Sequence, residues 1–198
     1  AVIYLTDETH HCVQKAMRLA GMGESVIRYV PMDEQFSMRP EALEAIIKED
    51  LRLGLIPFLL IGSAGTTNTG AIDPLNSLAD IASNHQIWFH VDAAYGGFFL
   101  LVEALRSKFK GIEKADSIVM DPHKSLFMPY GSGVILVRNA EHLFKSNYYT
   151  AAYLQDDMEG QDERSPADYS PELTRHFRGM RLWFSLSMLG ISPFRQVL

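Results

Sequence analysis

Four polar stretches in this sequence each follow an apolar run of strand length. Together they hold the side-chain types of an acid–base and nucleophilic centre. Thr6-Asp7-Glu8-Thr9-His10-His11 follows Val2–Leu5, and Gly62-Ser63-Ala64-Gly65-Thr66-Thr67 follows Pro57–Ile61. Asp92-Ala93-Ala94-Tyr95-Gly96-Gly97 follows Ile87–Val91, and Asp121-Pro122-His123-Lys124-Ser125 follows Ser117–Met120. In an open α/β sheet, ligands bind beyond the carboxyl ends of the strands. Hydroxyls, a carboxylate, an imidazole and an amine would therefore meet on one rim. A lysine directly after an apolar strand lowers its pKa readily when desolvated and becomes a nucleophile. His90 stands two residues before Asp92, on the same strand face, where it can orient that carboxylate. His90, Asp92, Asp121 and His123 are also ligand types that suit Zn or Mn. A metallohydrolase built on them leaves Lys124 and the Ala93-Ala94 pair without a role.

The elements that must position these residues alternate along the chain. Short β-branched or aromatic runs recur at Val2–Leu5, Val26–Val30, Pro57–Ile61, Ile87–Val91, Ser117–Met120 and Gly133–Val137. Between them lie helical patterns. Thr9–Ala20 sets Val13, Ala16, Met17 and Ala20 on one face, and Pro40–Leu53 opens on Pro and carries Leu43, Ile46, Ile47 and Leu51. Asp73–Asn84 carries Leu75, Leu78, Ile81 and Ala82. This alternation predicts an α/β doubly wound, mostly parallel sheet. About a dozen residues with no helix separate the last two strands, so the final strand is predicted antiparallel. Asn147 to Pro171 has no period and reads as a long surface loop, functional or mobile in character. Periodicity resumes over Leu173–Leu189 through Phe177, Leu182, Phe184 and Met188.

Composition narrows the function classes. Of 198 residues, 47% are apolar and 21% charged, the profile of a globular domain and not of a disordered or fibrous chain. The net charge of −6 offers no footprint for nucleic acid or anionic lipid. Cys12 is the lone cysteine, which excludes an intrachain disulfide and makes a reducing cytoplasm the default expectation. No run of 18 apolar residues occurs, and the opening Ala-Val-Ile-Tyr-Leu has no basic stretch before it, so neither a membrane span nor a signal peptide is expected. A chain opening inside a strand reads as a piece of a longer protein.

Thr6-Asp7-Glu8-Thr9-His10, His90-Val91-Asp92-Ala93-Ala94-Tyr95 and Asp121-Pro122-His123-Lys124 resemble, in order, the signatures of group II pyridoxal-phosphate-dependent amino-acid decarboxylases, with the aromatic-L-amino-acid decarboxylases the most similar type. Gly65-Thr66-Thr67 and Phe177-Arg178-Gly179-Met180-Arg181-Leu182-Trp183-Phe184 extend the resemblance through nearly the whole chain. The resemblance implies the fold type I (aspartate aminotransferase-like) large domain, of which residues 1–198 would be the central part. It implies a segment cupping the cofactor phosphate before residue 1 and a smaller domain beyond residue 198, toward which a helix in 173–198 would lead. The isolated piece would then be inactive. It further implies pyridoxal 5'-phosphate as cofactor, an amino acid as substrate, and a homodimer whose mobile catalytic loop, here 147–171, reaches the partner's site.

Role by role, the resemblance implies that Lys124 forms the internal aldimine and that Asp92 pairs with the pyridinium nitrogen. His10 stacks on the ring, with His11 as the competing choice, and Ala94 packs on the opposite face. Thr67 contacts the phenolic side, and His123 lies near the phosphate. Tyr153, with Tyr148 and Tyr149 nearby, would reprotonate Cα; a phenol there goes with an amine product, and Phe in plant relatives with aldehyde. Ser125 and Asp121 depart from the Trp and Asn of many animal members. Decarboxylation of an acidic or aliphatic amino acid, aldehyde synthesis, and a truncated copy that only binds a partner remain as alternatives.

Overall fold

The computed structural model describes residues 1–149 and 164–198. Six strands form one sheet: β1 (Val2–Leu5), β2 (Val26–Tyr29), β3 (Pro57–Ser63), β4 (Trp88–Asp92), β5 (Ser117–Met120) and β6 (Val134–Val137). Their order is β2-β1-β3-β4-β5-β6, parallel throughout except for the antiparallel β5–β6 pair. The interior strand β1 is buried along its whole length, which is why Val-Ile-Tyr-Leu reads as an unbroken apolar run and not an alternating one. Its side chains divide by period 2. Val2 and Tyr4 join Leu60, Phe89 and Val91 in the larger core, under α2 (Pro40–Arg52) and α3 (Leu75–Asn84) through Leu43, Ile47, Leu75 and Leu78. Ile3, Leu5 and Ile61 point to the other face and meet Met17 of α1 (Cys12–Leu19).

The chain leaves β1 toward β2 on one side and later returns to build β3, β4 and β5 on the other. Loops following β1 and β3 therefore part company, and a crevice opens between them. That is the topological switch point at which doubly wound sheets bind ligands.

Several predicted boundaries move. α1 begins at Cys12 and not Thr9, because Thr6 and Thr9 close a turn of their own: Thr9 Oγ1 accepts from Thr6 N–H at 3.1 Å, and Thr9 N–H returns to the Thr6 carbonyl. Ala16 and Ala20, expected on its buried face, are exposed. Gly62 and Ser63 still belong to β3, and Asp92 is the last residue of β4. The link from β5 to β6 holds a single helical turn, α4 (Pro122–Ser125), where none was expected. α5 (Ala140–Asn147) was not anticipated. Within the expected loop, a 3₁₀ turn at Pro166–Tyr169 is held by a capping box between Ser165 and Asp168. The helix expected from Leu173 starts only at Gly179 (α6, Gly179–Leu189), because Arg178 folds back onto Glu172 at 2.6 Å. A short α7 (Ser192–Val197) closes the chain. Among the described residues no helix is long and apolar enough to cross a membrane.

Candidate active site

Strand register brings the site together. Asp92 is level with Ser63 of β3 on one side and Val119 of β5 on the other, and all three line one 250 Å³ cavity. The loops beyond these strands are stitched by backbone bonds: Ala64 N–H to the Asp92 carbonyl at 2.8 Å, and Asp121 N–H to the Ala94 carbonyl at 3.1 Å. Gly65 and Gly96 make the close approach possible. A Cβ on Gly96 would lie 2.0 Å from the Ala64 carbonyl oxygen, and Gly65, at φ +98°, lies against the Gly96 backbone.

Into this crevice β1 sends Glu8 and His10, α1 sends Cys12 and Val13, and the loop after β3 sends Thr66 and Thr67. β4 contributes His90 and Asp92, with Ala94 and Tyr95 just beyond it, and α4 contributes Lys124. The Asp92 carboxylate is fixed by its own turn, Oδ1 accepting from Ala94 N–H at 3.1 Å. Lys124 stands one helical turn past β5, its Nζ held 3.1 Å from Asp121 Oδ2. His10 Nδ1 accepts from Cys12 N–H at 3.3 Å, and its ring lies 4.2 Å from that of His11. Thr66 is buried and spends its hydroxyl on Thr69 at 2.7 Å and on Ala71 N–H. Thr67 is exposed at the rim.

Six of the expected residues thus share the cavity: His10, Thr67, His90, Asp92, Ala94 and Lys124. His123 does not line it. Its Nε2 is 3.8 Å from Asp121 Oδ2 and its Nδ1 is buried without a partner. Tyr153 lies outside the described residues. His90 hydrogen-bonds not to Asp92 but to Ser117 Oγ, at 2.8 Å from Nδ1. Among the described residues no three His, Cys, Asp or Glu side chains gather as metal ligands, so the four residues of the metallohydrolase alternative do not form a set.

A larger concavity of 630 Å³ opens beside the start of α2. Its buried carboxylate, Asp73, is already spent on the backbone N–H groups of Met38 and Ser63, at 2.7 Å each. The smaller cavity brings an amine, a carboxylate and an imidazole to one wall, and that decides between the two.

Residues 1–198 match the pyridoxal-dependent decarboxylase conserved domain. The chain belongs to that family. It is 38% identical over 201 residues to an aromatic-L-amino-acid decarboxylase of Bacillus atrophaeus, a match covering 100% of this chain and 42% of the relative. It is 35% identical to a phenylacetaldehyde synthase of Petunia hybrida, covering 98% of this chain and 39% of the relative. Among solved structures, Oryza sativa TDC with PLP and tryptamine superposes at a TM-score of 0.90 and 31% identity, covering 99% of this chain and 40% of that one. The chain therefore spans about two fifths of the length of the relatives it matches.

The residues present fit the family's cofactor. An amine, a fixed carboxylate and an imidazole line one cavity, and Glu8 Oε2 in its wall is buried without a partner. With His123 Nδ1, that makes two buried polar atoms the described residues leave unsatisfied, the condition a bound polar group relieves.

Proposed function

We propose that the protein decarboxylates an L-amino acid, aromatic in class, to the amine and CO2, with pyridoxal 5'-phosphate as cofactor. The observation that carries this reading is the convergence of Lys124, Asp92, His10 and Ala94 on one cavity at the switch point of the sheet. When bound, the cofactor supplies an electron sink for the pair left on Cα as CO2 departs.

The chain's own residues do the rest. Lys124 would hold the cofactor through its amine, and Asp121 keeps Nζ at the cavity wall. Asp92, fixed by Ala94 N–H, would hold a proton on the ring nitrogen. His10 would pack against the ring, and Ala94 would leave room for it where a larger side chain would clash. Thr67 serves the phenolic oxygen, since Thr66 is already spent, and His123 serves the phosphate side. His90 lies behind Asp92. Tyr153 delivers the proton to Cα, in a catalytic loop over 147–171. In this reading residues 1–198 are part of the cofactor-binding large domain, and the protein works as a homodimer in the cytoplasm. Support for the dimer is the family resemblance, and for the compartment the single cysteine.

The phenylacetaldehyde synthase relative favours a second reading, in which the product is the aldehyde. Tyr153→Phe separates the two. If a phenol protonates Cα, the variant loses roughly 10²–10⁴-fold in amine formation and shifts product toward aldehyde, while Tyr149→Phe does much less. A reversed ranking moves the proton donor to Tyr149. The decisive test of the whole reading is Lys124→Ala in the full-length protein. With the parent, borohydride should fix pyridoxal phosphate onto the peptide holding Lys124; the variant should fold, fix none and turn over no substrate. Near-parental turnover in Lys124→Ala would sink the assignment.

A further inference from the structure

Beside Asp92 lies a partly buried hydrogen-bond chain that the reaction as described leaves unused. Ser117, the first residue of β5, is buried, and its Oγ is approached by two groups from β4. Trp88 Nε1 is at 2.9 Å and His90 Nδ1 at 2.8 Å. Indole N–H can only donate, so Trp88 occupies one lone pair of the hydroxyl. No third group among the described residues bonds Oγ.

The remaining bond has two possible directions. Were His90 Nδ1 to donate, the hydroxyl hydrogen of Ser117 would stay buried without an acceptor, which costs free energy. When the hydroxyl donates to Nδ1, Ser117 Oγ accepts one bond and donates one, and its hydrogen is not left over. Burial pushes the imidazole below the ordinary histidine range, and the Asp92 carboxylate opposes this only in part. The neutral ring, which burial favours, carries one proton. With Nδ1 accepting, that proton sits on Nε2. His90 and Asp92 both line the cavity, two residues apart on one strand face.

We propose that Trp88 and Ser117 are positioning residues that lock His90 in its Nε2–H form, so that the imidazole offers a hydrogen-bond donor and not an acceptor to the cavity it shares with Asp92. A donor there leaves no second acceptor to compete with Asp92 for the proton on the cofactor nitrogen, and in this respect the inference rests on the proposed function. The tautomer itself does not.

The experiment reads the two separately. Full-length protein with ¹⁵N-labelled histidine, free of cofactor, gives the His90 tautomer from long-range ¹H–¹⁵N spectra, assigned by the signal lost in His90→Gln. We expect Nε2–H in the parent and in Ser117→Thr, which keeps the hydroxyl. A mixture of forms is expected in Ser117→Ala. Trp88→Phe should shift the balance the same way but less, because the indole N–H strengthens the hydroxyl as a donor without itself setting the direction of the bond. In equilibrium titrations with pyridoxal phosphate, Ser117→Ala should bind about tenfold more weakly, the worth of one buried hydrogen bond, and Ser117→Thr within about twofold of the parent. An Nδ1–H or charged His90 in the parent would overturn the proposal, as would an unchanged tautomer in both Ser117→Ala and Trp88→Phe. Altered tautomer with unaltered affinity would overturn the positioning role. A parent with Nε2–H that bound no pyridoxal phosphate would support the lock and sink the cofactor assignment instead.

Discussion

Cys12 is the cavity residue whose chemistry reports most directly on its neighbours. Partial burial pushes its thiol above the ordinary value, the Asp92 carboxylate pushes the same way, and Lys124 pulls against both. Thiolate is the nucleophile, so cofactor-free protein should react sluggishly with iodoacetamide at neutral pH, with the midpoint of its rate profile above that of a free thiol. Lys124→Ala removes the one opposing charge and should move the midpoint further up, whereas Asp92→Asn should move it down. The reverse order of the two variants would contradict the electrostatic map of the cavity. Strand-end position was enough to find Lys124, Asp92 and His10 in the sequence, because a parallel strand delivers whatever follows it to the same rim. It could not find Cys12. Cys12 reads as part of the α1 pattern, and only the Thr6–Thr9 turn, which delays that helix, brings the thiol into the cavity wall. Nor does the local sequence say which of Thr66 and Thr67 is spent internally; the bond to Thr69 decides that.

Among the elements, the strands were legible almost to the residue and the helix starts were not. β1 needs no more than an apolar run to be recognised, since burial on both faces is written in its composition. A helix start depends on who satisfies its first N–H groups, and here distant residues intervene. Asp73 was expected to open α3; instead its carboxylate ties Met38 N–H, just before α2, to Ser63 N–H at the end of β3. It thereby fixes the strand end that delivers Ser63 and Gly65 to the cavity. Removing it orphans two buried donors at about 1–3 kcal/mol each, so Asp73→Ala should cost about 2–6 kcal/mol in denaturant unfolding. The pH dependence has a definite sign. Burial raises this carboxyl above its ordinary range, outweighing the two N–H donors that lower it, with Asp33 adding to the rise. A carboxyl raised in the folded state adds stability that is full below the unfolded value of about 4 and is lost as pH climbs through the folded one. The stability gap between parent and Asp73→Ala should therefore widen in mild acid and narrow toward neutrality. A gap that narrowed on acidification would mean the carboxyl is held ionised.

For the whole molecule, the governing quantity is surface. Much apolar area is concentrated near the C-terminal end. Leu182 and Leu186 of α6 turn inward onto Leu126, Met128 and Phe194, but Met180, Phe184 and Met188, spaced four apart and so on one face, are 43%, 55% and 68% exposed. Trp183 and Leu189 flank them, also exposed. An apolar stripe of this kind marks a surface that associates. Working against it is the net charge of −6, whose repulsion is long-ranged but screened by salt. Residues 1–198 prepared alone should consequently self-associate as concentration rises, and more so at high ionic strength, where repulsion fades and apolar attraction does not. Light scattering across a dilution series at low and high salt measures both trends. The double substitution Phe184→Glu and Met188→Glu puts charge on the stripe without touching Leu182 or Leu186, and should leave the chain monomeric at both salt levels with its circular dichroism unchanged. Self-association that weakened with added salt, or that survived the double substitution, would locate the contact on charged surface elsewhere and not on α6.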